Sequence, residues 1–320
     1  MELYIHASSA ISPQSGTIID NMVPLPNEHA HFAIEPGYSD FFTPAMSRRM
    51  SRVIKMGVAS GLQCLQNAGI QTPDAIITAT GYGCFEDSLK FLESLIQNKE
   101  SILSPTPFIQ STHNTIGAQI ALLRSCYGYN NTHVHGGFSF ENALIDCVLH
   151  LNKYPSDNIL LGAADELTQV YLTLKIRENE INSAANSHLN LGEGAAFFLV
   201  NTQPKDALGV IKMVKTGFKP TKDTLIKLIE SSFDSNPDLV LCGDYTINDD
   251  PLKFTSLLQT LFNEVEHIPF KKMCGNYHTS GAFATWMALQ LFGERPEHKN
   301  ILIANRFDED QFSFINIGNA

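Results

Sequence analysis

Short runs that are apolar at nearly every position alternate along this chain with longer stretches whose apolar residues return every three or four positions. Residues 74–80, 158–161 and 196–200 (Ala196-Phe197-Phe198-Leu199-Val200) are of the first kind. A strand with no polar side has to bury both faces, so such runs point to a sheet covered by helices on two sides. Met50, Val53, Ile54, Gly57, Val58, Gly61, Leu62, Leu65 and Ala68 are of the second kind, and Gly69 stands where a helix can stop. Two further apolar helix faces follow, one through Ile116, Ile120 and Leu123, the other through Phe140, Ala143, Leu144, Cys147, Val148 and Leu151. The pattern then returns in shorter form. It predicts strands at 210–214, 239–241 and 301–303, with helices around 221–230, 251–265 and 280–292. Two rounds of this kind predict an α/β body built on parallel sheets with helices on both faces. The turn-rich Asn201-Thr202-Gln203-Pro204-Lys205-Asp206 marks the junction between residues 1–203 and 204–320, two halves of one compact body.

One connection carries chemistry in its shape. Thr132-His133-Val134-His135-Gly136-Gly137-Phe138-Ser139-Phe140 leads an extended run into the helix that contains Glu141. Its two glycines tolerate the backbone angles and close approaches that a sharp elbow demands. A helix start offers free N–H groups and the positive end of the helix dipole, which stabilise a thiolate or an oxyanion. Acyl-transfer enzymes place a nucleophile at such an elbow, yet this one holds no cysteine.

Several segments around the elbow are similar, in order, to those of one family. Ser104-Pro105-Thr106-Pro107-Phe108 through Asn114-Thr115-Ile116-Gly117 resembles the Pro-x-x-Phe…Asn-x-x-x-Gly segment of β-ketoacyl-acyl-carrier-protein synthases. Gly162-Ala163-Ala164-Asp165-Glu166 resembles their Gly-Gly-Ala-Glu-type strand end, and Gly192-Glu193-Gly194-Ala195-Ala196 their Gly-Glu-Gly-Ala-Gly. Together the matches span most of the chain, although each alone is weak. The resemblance implies the thiolase-like fold, two similar halves stacked as five α/β/α/β/α layers, here with trimmed caps and loops.

The same resemblance implies that three catalytic side chains are missing. Counting back from Gly162 puts the family's cysteine on Gly137. The first family histidine falls on Gly243, or on Leu241 if Asn248-Asp249 is the anchor. The second falls on Asn276 in Lys271-Lys272-Met273-Cys274-Gly275-Asn276-Tyr277-His278, with His278 two places later. The family's glycine-rich loop, which bends around the acyl carbonyl, survives only as Asn305-Arg306-Phe307-Asp308-Glu309-Asp310-Gln311. A thiolate to carry the acyl chain and histidines to stabilise the enolate are what decarboxylative condensation needs. Without them the resemblance implies a non-condensing subunit, akin to the chain-length factors of aromatic polyketide systems. The segment 273–286 looks particularly like the short synthase-like proteins of aryl polyene and flexirubin pigment pathways. The expected partner is an active ketosynthase, or a second copy of the chain, with acyl carrier protein reached through that partner. The alternative is a divergent acyltransferase or 3-oxoacyl synthase that uses His278 without a cysteine. A third possibility is a self-associating scaffold with no acyl pocket.

Composition narrows the partners. The formal charge of −11 disfavours nucleic acid, which wants a basic footprint. Arg48, Arg49, Arg52 and Lys55 form the densest basic stretch, read first as a solvated helix face and second as a patch for an acidic carrier protein. No apolar stretch has the length of a membrane span, and the opening Met1-Glu2-Leu3-Tyr4-Ile5-His6 is strand-like and unlike a secretory leader. Six scattered cysteines without paired spacing fit free thiols in the cytoplasm. No cofactor and no metal are expected. His133 and His135 alternate on one predicted strand face without a third ligand, so packing is the preferred role. Packing also competes with narrowing of an old pocket at Phe138 and Phe140, and helix capping with cavity lining at His113-Asn114. Cys274 lies off the elbow, and Gly81-Tyr82-Gly83 lacks the continuation a phosphate loop needs.

Overall fold

The computed structural model describes residues 1–14, 23–101, 103–182, 189–244 and 252–320. Its strands are β1 (Leu3–Ile11), β2 (Ala30–His31), β3 (Ala75–Ala79), β4 (Tyr129–His133), β5 (Ile159–Asp165), β6 (Leu191–Gly192), β7 (Gly194–Asn201), β8 (Gly209–Phe218), β9 (Leu239–Gly243), β10 (Glu266–Ile268), β11 (Asn300–Arg306) and β12 (Gln311–Gly318). The helices are α1 (Pro44–Ser47), α2 (Arg52–Ala68), α3 (Phe85–Gln97), α4 (Pro105–Gln110), α5 (Thr115–Arg124), α6 (Ser139–Lys153), α7 (Gln169–Asn182), α8 (Lys222–Glu230), α9 (Phe254–Leu261), α10 (Lys271–Cys274) and α11 (Ser280–Glu294).

Ten strands hydrogen-bond in the order β10-β9-β11-β12-β8-β1-β7-β5-β3-β4, and β2 pairs with β6 apart from them. The order read outward from the centre is the same on each side. β1-β7-β5-β3-β4 corresponds to β8-β12-β11-β9-β10, with matching strand directions. The prediction of parallel sheets is corrected here. β3, β4 and β5 are mutually parallel, as are β9, β10 and β11, but β1, β7, β8 and β12 pair antiparallel with their neighbours. Continuous apolar runs report burial on both faces, which is indifferent to strand direction.

Three large apolar clusters give the layers. One packs α2 and α5 against the outer face of β1, β3, β5 and β7. Another packs α8 and α9 against β9, β11 and β12. The largest is built around α6 and α11 and joins the opposite faces of strands from both halves of the ten-stranded sheet. The sequence carries the distinction between these helices. α2 has an apolar face, and Gly57 and Gly61 let Ile116 and Ile120 of α5 close in, since a Cβ there would stand 2.8 and 2.7 Å from them. α11 is buried almost all round, as a central helix must be. Stops are also local: Gly69 closes α2 at φ 68°.

Elements the sequence pattern overlooked include β12, α3 and α7. β12 sets Phe312 and Phe314 toward the outer core and Ile315 and Ile317 toward the inner one, with Ser313 and Asn316 buried but polar between them. A buried strand interrupted by polar residues on both faces has no continuous apolar run to announce it. The predicted helix around 251–265 is α9, shorter than expected, and Pro251 lies outside the described residues, as does the Asn248-Asp249 anchor. The extended run of the elbow ends at His133, so His133 and His135 do not share a strand face.

Candidate functional site

The elbow exists as a tight turn at the end of β4. Gly136–Phe138 forms one turn of 3-10 helix, with Gly136 at φ 58°, and α6 begins at Ser139. The Ser139 hydroxyl ties the turn by accepting from the His135 N–H at 2.8 Å and donating to the Gly136 carbonyl at 2.8 Å. Gly137 is buried. A Cβ placed on it would stand 2.5 Å from the Cβ of Phe307 and 2.7 Å from Oε1 of Gln311, closer than atoms pack. Its N–H donates to that Gln311 oxygen at 2.9 Å.

Across from the elbow, the N-terminus of α11 is held by Asp165 at the end of β5. One oxygen of Asp165 accepts from the Thr80 hydroxyl (2.9 Å) and the Gly81 N–H (2.7 Å). The other accepts from the Thr279 N–H (2.9 Å) and hydroxyl (2.8 Å). This clamp joins the ends of β3, β5 and α11 and fixes His278. The imidazole lies over Gly81, where a Cβ would be 2.2 Å from the ring. Phe307 stacks on it at 4.2 Å and Tyr82 meets it edge-on at 4.3 Å. Burial holds its pKa below the ordinary histidine value, opposed by the nearby Asp165 and Asp308 carboxylates. His278 also comes near the elbow: the Cβ position of Gly136 is 3.9 Å from its Cδ2.

His278 borders a cavity of about 20 Å³, room for roughly one water. Tyr82, Glu166, Tyr171, Asn276 and Phe307 share its wall. Burial pushes the Glu166 carboxyl up to about 7. Asn276 is nearly buried, its N–H donates to the Asn190 carbonyl at 2.6 Å, and its Oδ1 is buried with no hydrogen-bond partner among the described residues. Gly243, at the end of β9, lies instead against Phe270 and Asn305, with 2.3 Å between its Cβ position and the Phe270 ring. Leu241, the other position for that histidine, is a core residue. The structure therefore gathers Gly137, Asn276 and His278 around Phe307, while Gly243 packs into the strand layer.

Sequence reasoning missed three groups. Lys271 is buried, donates to the Arg306 carbonyl at 2.6 Å, and is pulled down to about 8 by burial. Glu141, in the first turn of α6, is fully buried, accepts from Ser313 at 2.6 Å, and is pushed up to about 7 by burial. Phe307 and Gln311 fill the elbow. A signal for the last pair was present, since the glycines expected around residues 305–311 are replaced by residues with side chains. Other candidates take structural roles. Cys274 is buried with its thiol pushed well up by burial. Arg52 turns from the basic stretch to pair with buried Glu193 and with Glu35, and Glu193 also accepts from the N–H groups of Ala33 (2.7 Å) and Leu167 (2.9 Å). His133 pairs with Asp146 at 2.9 Å, and among the described residues no group of three or more His, Cys, Asp or Glu is placed to hold a metal. No helix among the described residues is long and apolar enough to cross a membrane.

No functionally curated protein matches the sequence. Solved structures match over the full length of the chain. The ishigamide ketosynthase/chain length factor gives a TM-score of 0.81 at 13% identity, covering 100% of this chain and 99% of that one. A type II polyketide synthase acyl-carrier protein in complex with its ketosynthase bound to the hexaketide gives 0.79 at 14%, with the same coverage. A β-ketoacyl synthase from Burkholderia phymatum gives 0.77 at 13%, again with 100% and 99% covered. At these identities the likeness establishes the thiolase-like fold. The family profile described as "Beta-ketoacyl synthase, N-terminal domain" matches residues 27–246, more than half of the sequence, and the chain belongs to the β-ketoacyl synthase family.

Proposed function

We propose that this chain is a non-condensing, chain-length-factor-like subunit that pairs with an active ketosynthase in polyketide or fatty-acid synthesis. Its work is to help shape the cavity in which the partner's acyl chain grows, in the cytoplasm, with 1–203 and 204–320 acting as one body. A polyene or pigment pathway is the product class that the 273–286 segment favours. The observation that carries the reading is the elbow itself. Position 137 has no side chain and no space for one, because Phe307 and Gln311 occupy it. A thioester-forming cysteine is absent and sterically excluded, and neither Gly243 nor Asn276 offers an imidazole.

An uncovered surface supports the partner. The outer edge of β4 has no strand beside it among the described residues. Tyr127, two residues before β4, is 94% exposed, and α6, which packs on β4, carries the 63% exposed Leu149. Open strand edges flanked by apolar side chains are surfaces that another chain covers. The test is co-expression with a cysteine-bearing ketosynthase from a neighbouring gene. A stable one-to-one complex is expected, while the chain alone forms no covalent adduct with an acyl-carrier thioester by intact mass. An acyl group found covalently attached to the isolated chain would overturn the proposal.

The acyltransferase alternative has one observation in its favour, the place of His278 on a cavity wall beside the elbow. It predicts malonyl decarboxylation or acyl transfer by the purified chain, abolished by His278→Ala.

A further inference from the structure

The elbow is closed by residues far from it in sequence, and their bracing is specific. β11 and β12 are joined by a tight turn in which the Phe307 N–H donates to the Gln311 carbonyl at 3.0 Å. Asp308 stiffens it, its Oδ1 accepting from the N–H groups of Asp310 (2.9 Å) and Gln311 (2.8 Å). The Arg306 side chain donates to the Asp308 carbonyl at 3.0 Å, and the Lys219 N–H to the Asp310 carbonyl at 2.8 Å. A turn held from several sides presents its two end side chains in defined places. Phe307 packs over Gly137 on one flank and stacks on His278 on the other, where it is also a wall of the small cavity. Gln311 sets a planar amide oxygen on the Gly137 N–H.

We infer that the 307–311 turn is a plug built into the fold. Phe307 divides into two spaces what would otherwise be one pocket running from the elbow to His278, and Gln311 takes the N–H that a ligand carbonyl would take. The elbow is thus closed from within as well as stripped of its nucleophile. The inference deepens the subunit reading and rests on the same contacts at Gly137; equal alkylation rates count against the plug alone, whereas an acyl adduct on the isolated chain counts against the subunit reading.

A thiol introduced at the elbow reads the plug directly. The six native cysteines are buried, and burial raises the thiols of Cys64, Cys84, Cys147, Cys242 and Cys274, so the background is low. Iodoacetamide alkylates a thiolate with loss of iodide, leaving one carbamidomethyl group on sulfur. The folded variant Gly137→Cys/Phe307→Ala/Gln311→Ala is expected to be alkylated at the new thiol about tenfold or more faster than Gly137→Cys alone. Equal rates, or no adduct in the folded triple variant, would overturn the plug. Gln311→Ala alone provides a second reading that leaves Gly137 and Phe307 in place. Exchange of the Gly137 amide hydrogen, followed by NMR, should accelerate by about tenfold once its acceptor is gone. Unchanged exchange counts equally against the proposal.

Discussion

The two central helices start at facing points of the same site and are finished differently. At the start of α11 a carboxylate from a neighbouring strand takes four hydrogen bonds, joining Thr80, Gly81 and Thr279. At the start of α6 the turn is capped by a neutral amide from Gln311, and the space beyond is filled by Phe307. The first arrangement holds elements together and leaves His278 on a cavity wall. The second removes a cavity. One helix start is thus tied into the framework by a charged acceptor, while the other is closed by packing.

If that division is right, the Asp165 clamp carries the larger stability term. Asp165→Ala leaves four buried donors without their acceptor. Such losses cost roughly 1–3 kcal/mol for each unsatisfied group but overlap within one network, so about 4 kcal/mol is expected. Thermal unfolding should shift down by about 6 °C in a chain of this length. A loss below about 1 kcal/mol would show that the clamp does not hold α11 in place.

The buried carboxyl at the start of α6 comes next, and its effect depends on pH. Glu141 is raised from 4.5 to about 7 in the folded chain. Between those values the folded state keeps a proton that the unfolded state has released, so stability falls as pH rises through this window. The full contribution is about 3 kcal/mol at one pH unit per 1.4 kcal/mol. Glu141→Gln should therefore flatten the decline between pH 4.5 and 7 in urea unfolding curves. Glu166, also raised to about 7, contributes a slope of the same sign and remains in that variant. An unchanged slope would remove Glu141 as its source.

Gly137→Ala tests the closed elbow by the smallest possible addition. The new methyl collides with Phe307 and Gln311, and overpacking of this kind costs about 1–3 kcal/mol. Adding Phe307→Ala should return part of that loss, a coupling measurable in a double-mutant cycle. Strict additivity would mean that the two residues do not compete for one space.

Much of this framework was legible in the residues. The helices α2, α6 and α11 announce themselves by apolar spacing, and the strands at 75–79 and 159–165 by continuous apolar runs. Counting back from the Gly162-to-Glu166 strand end leads to Gly137, and the Lys271-to-Gly275 segment leads to Asn276 and His278. The role of Asp165 as a four-bond clamp could not, since its partners at 80, 81 and 279 meet it only through the sheet topology. Phe307 and Gln311 lie some 170 residues from the elbow. The segment 305–311 showed that glycines had been lost, but only the β11–β12 pairing shows which way the replacement side chains point.

The smallest expected effect belongs to His278, and it separates a structural ring from a reactive one. The ring lies between Phe307 and Tyr82 and is only 8% exposed. His278→Phe keeps the aromatic contacts and should change stability at neutral pH by about 1 kcal/mol or less. In acid the sign is favourable. The folded-state pKa is depressed, so the unfolded chain binds a proton first and the wild-type chain loses stability as pH falls below about 6.5. That slope opposes the one from Glu141 in the same range, and removing the imidazole should leave the Glu141 decline steeper and easier to see. Unfolding curves of His278→Phe from pH 5 to 7 check this. A loss of several kcal/mol at neutral pH would mean that the imidazole nitrogens make bonds the fold depends on, and the two helix starts would then be alike in relying on a polar anchor.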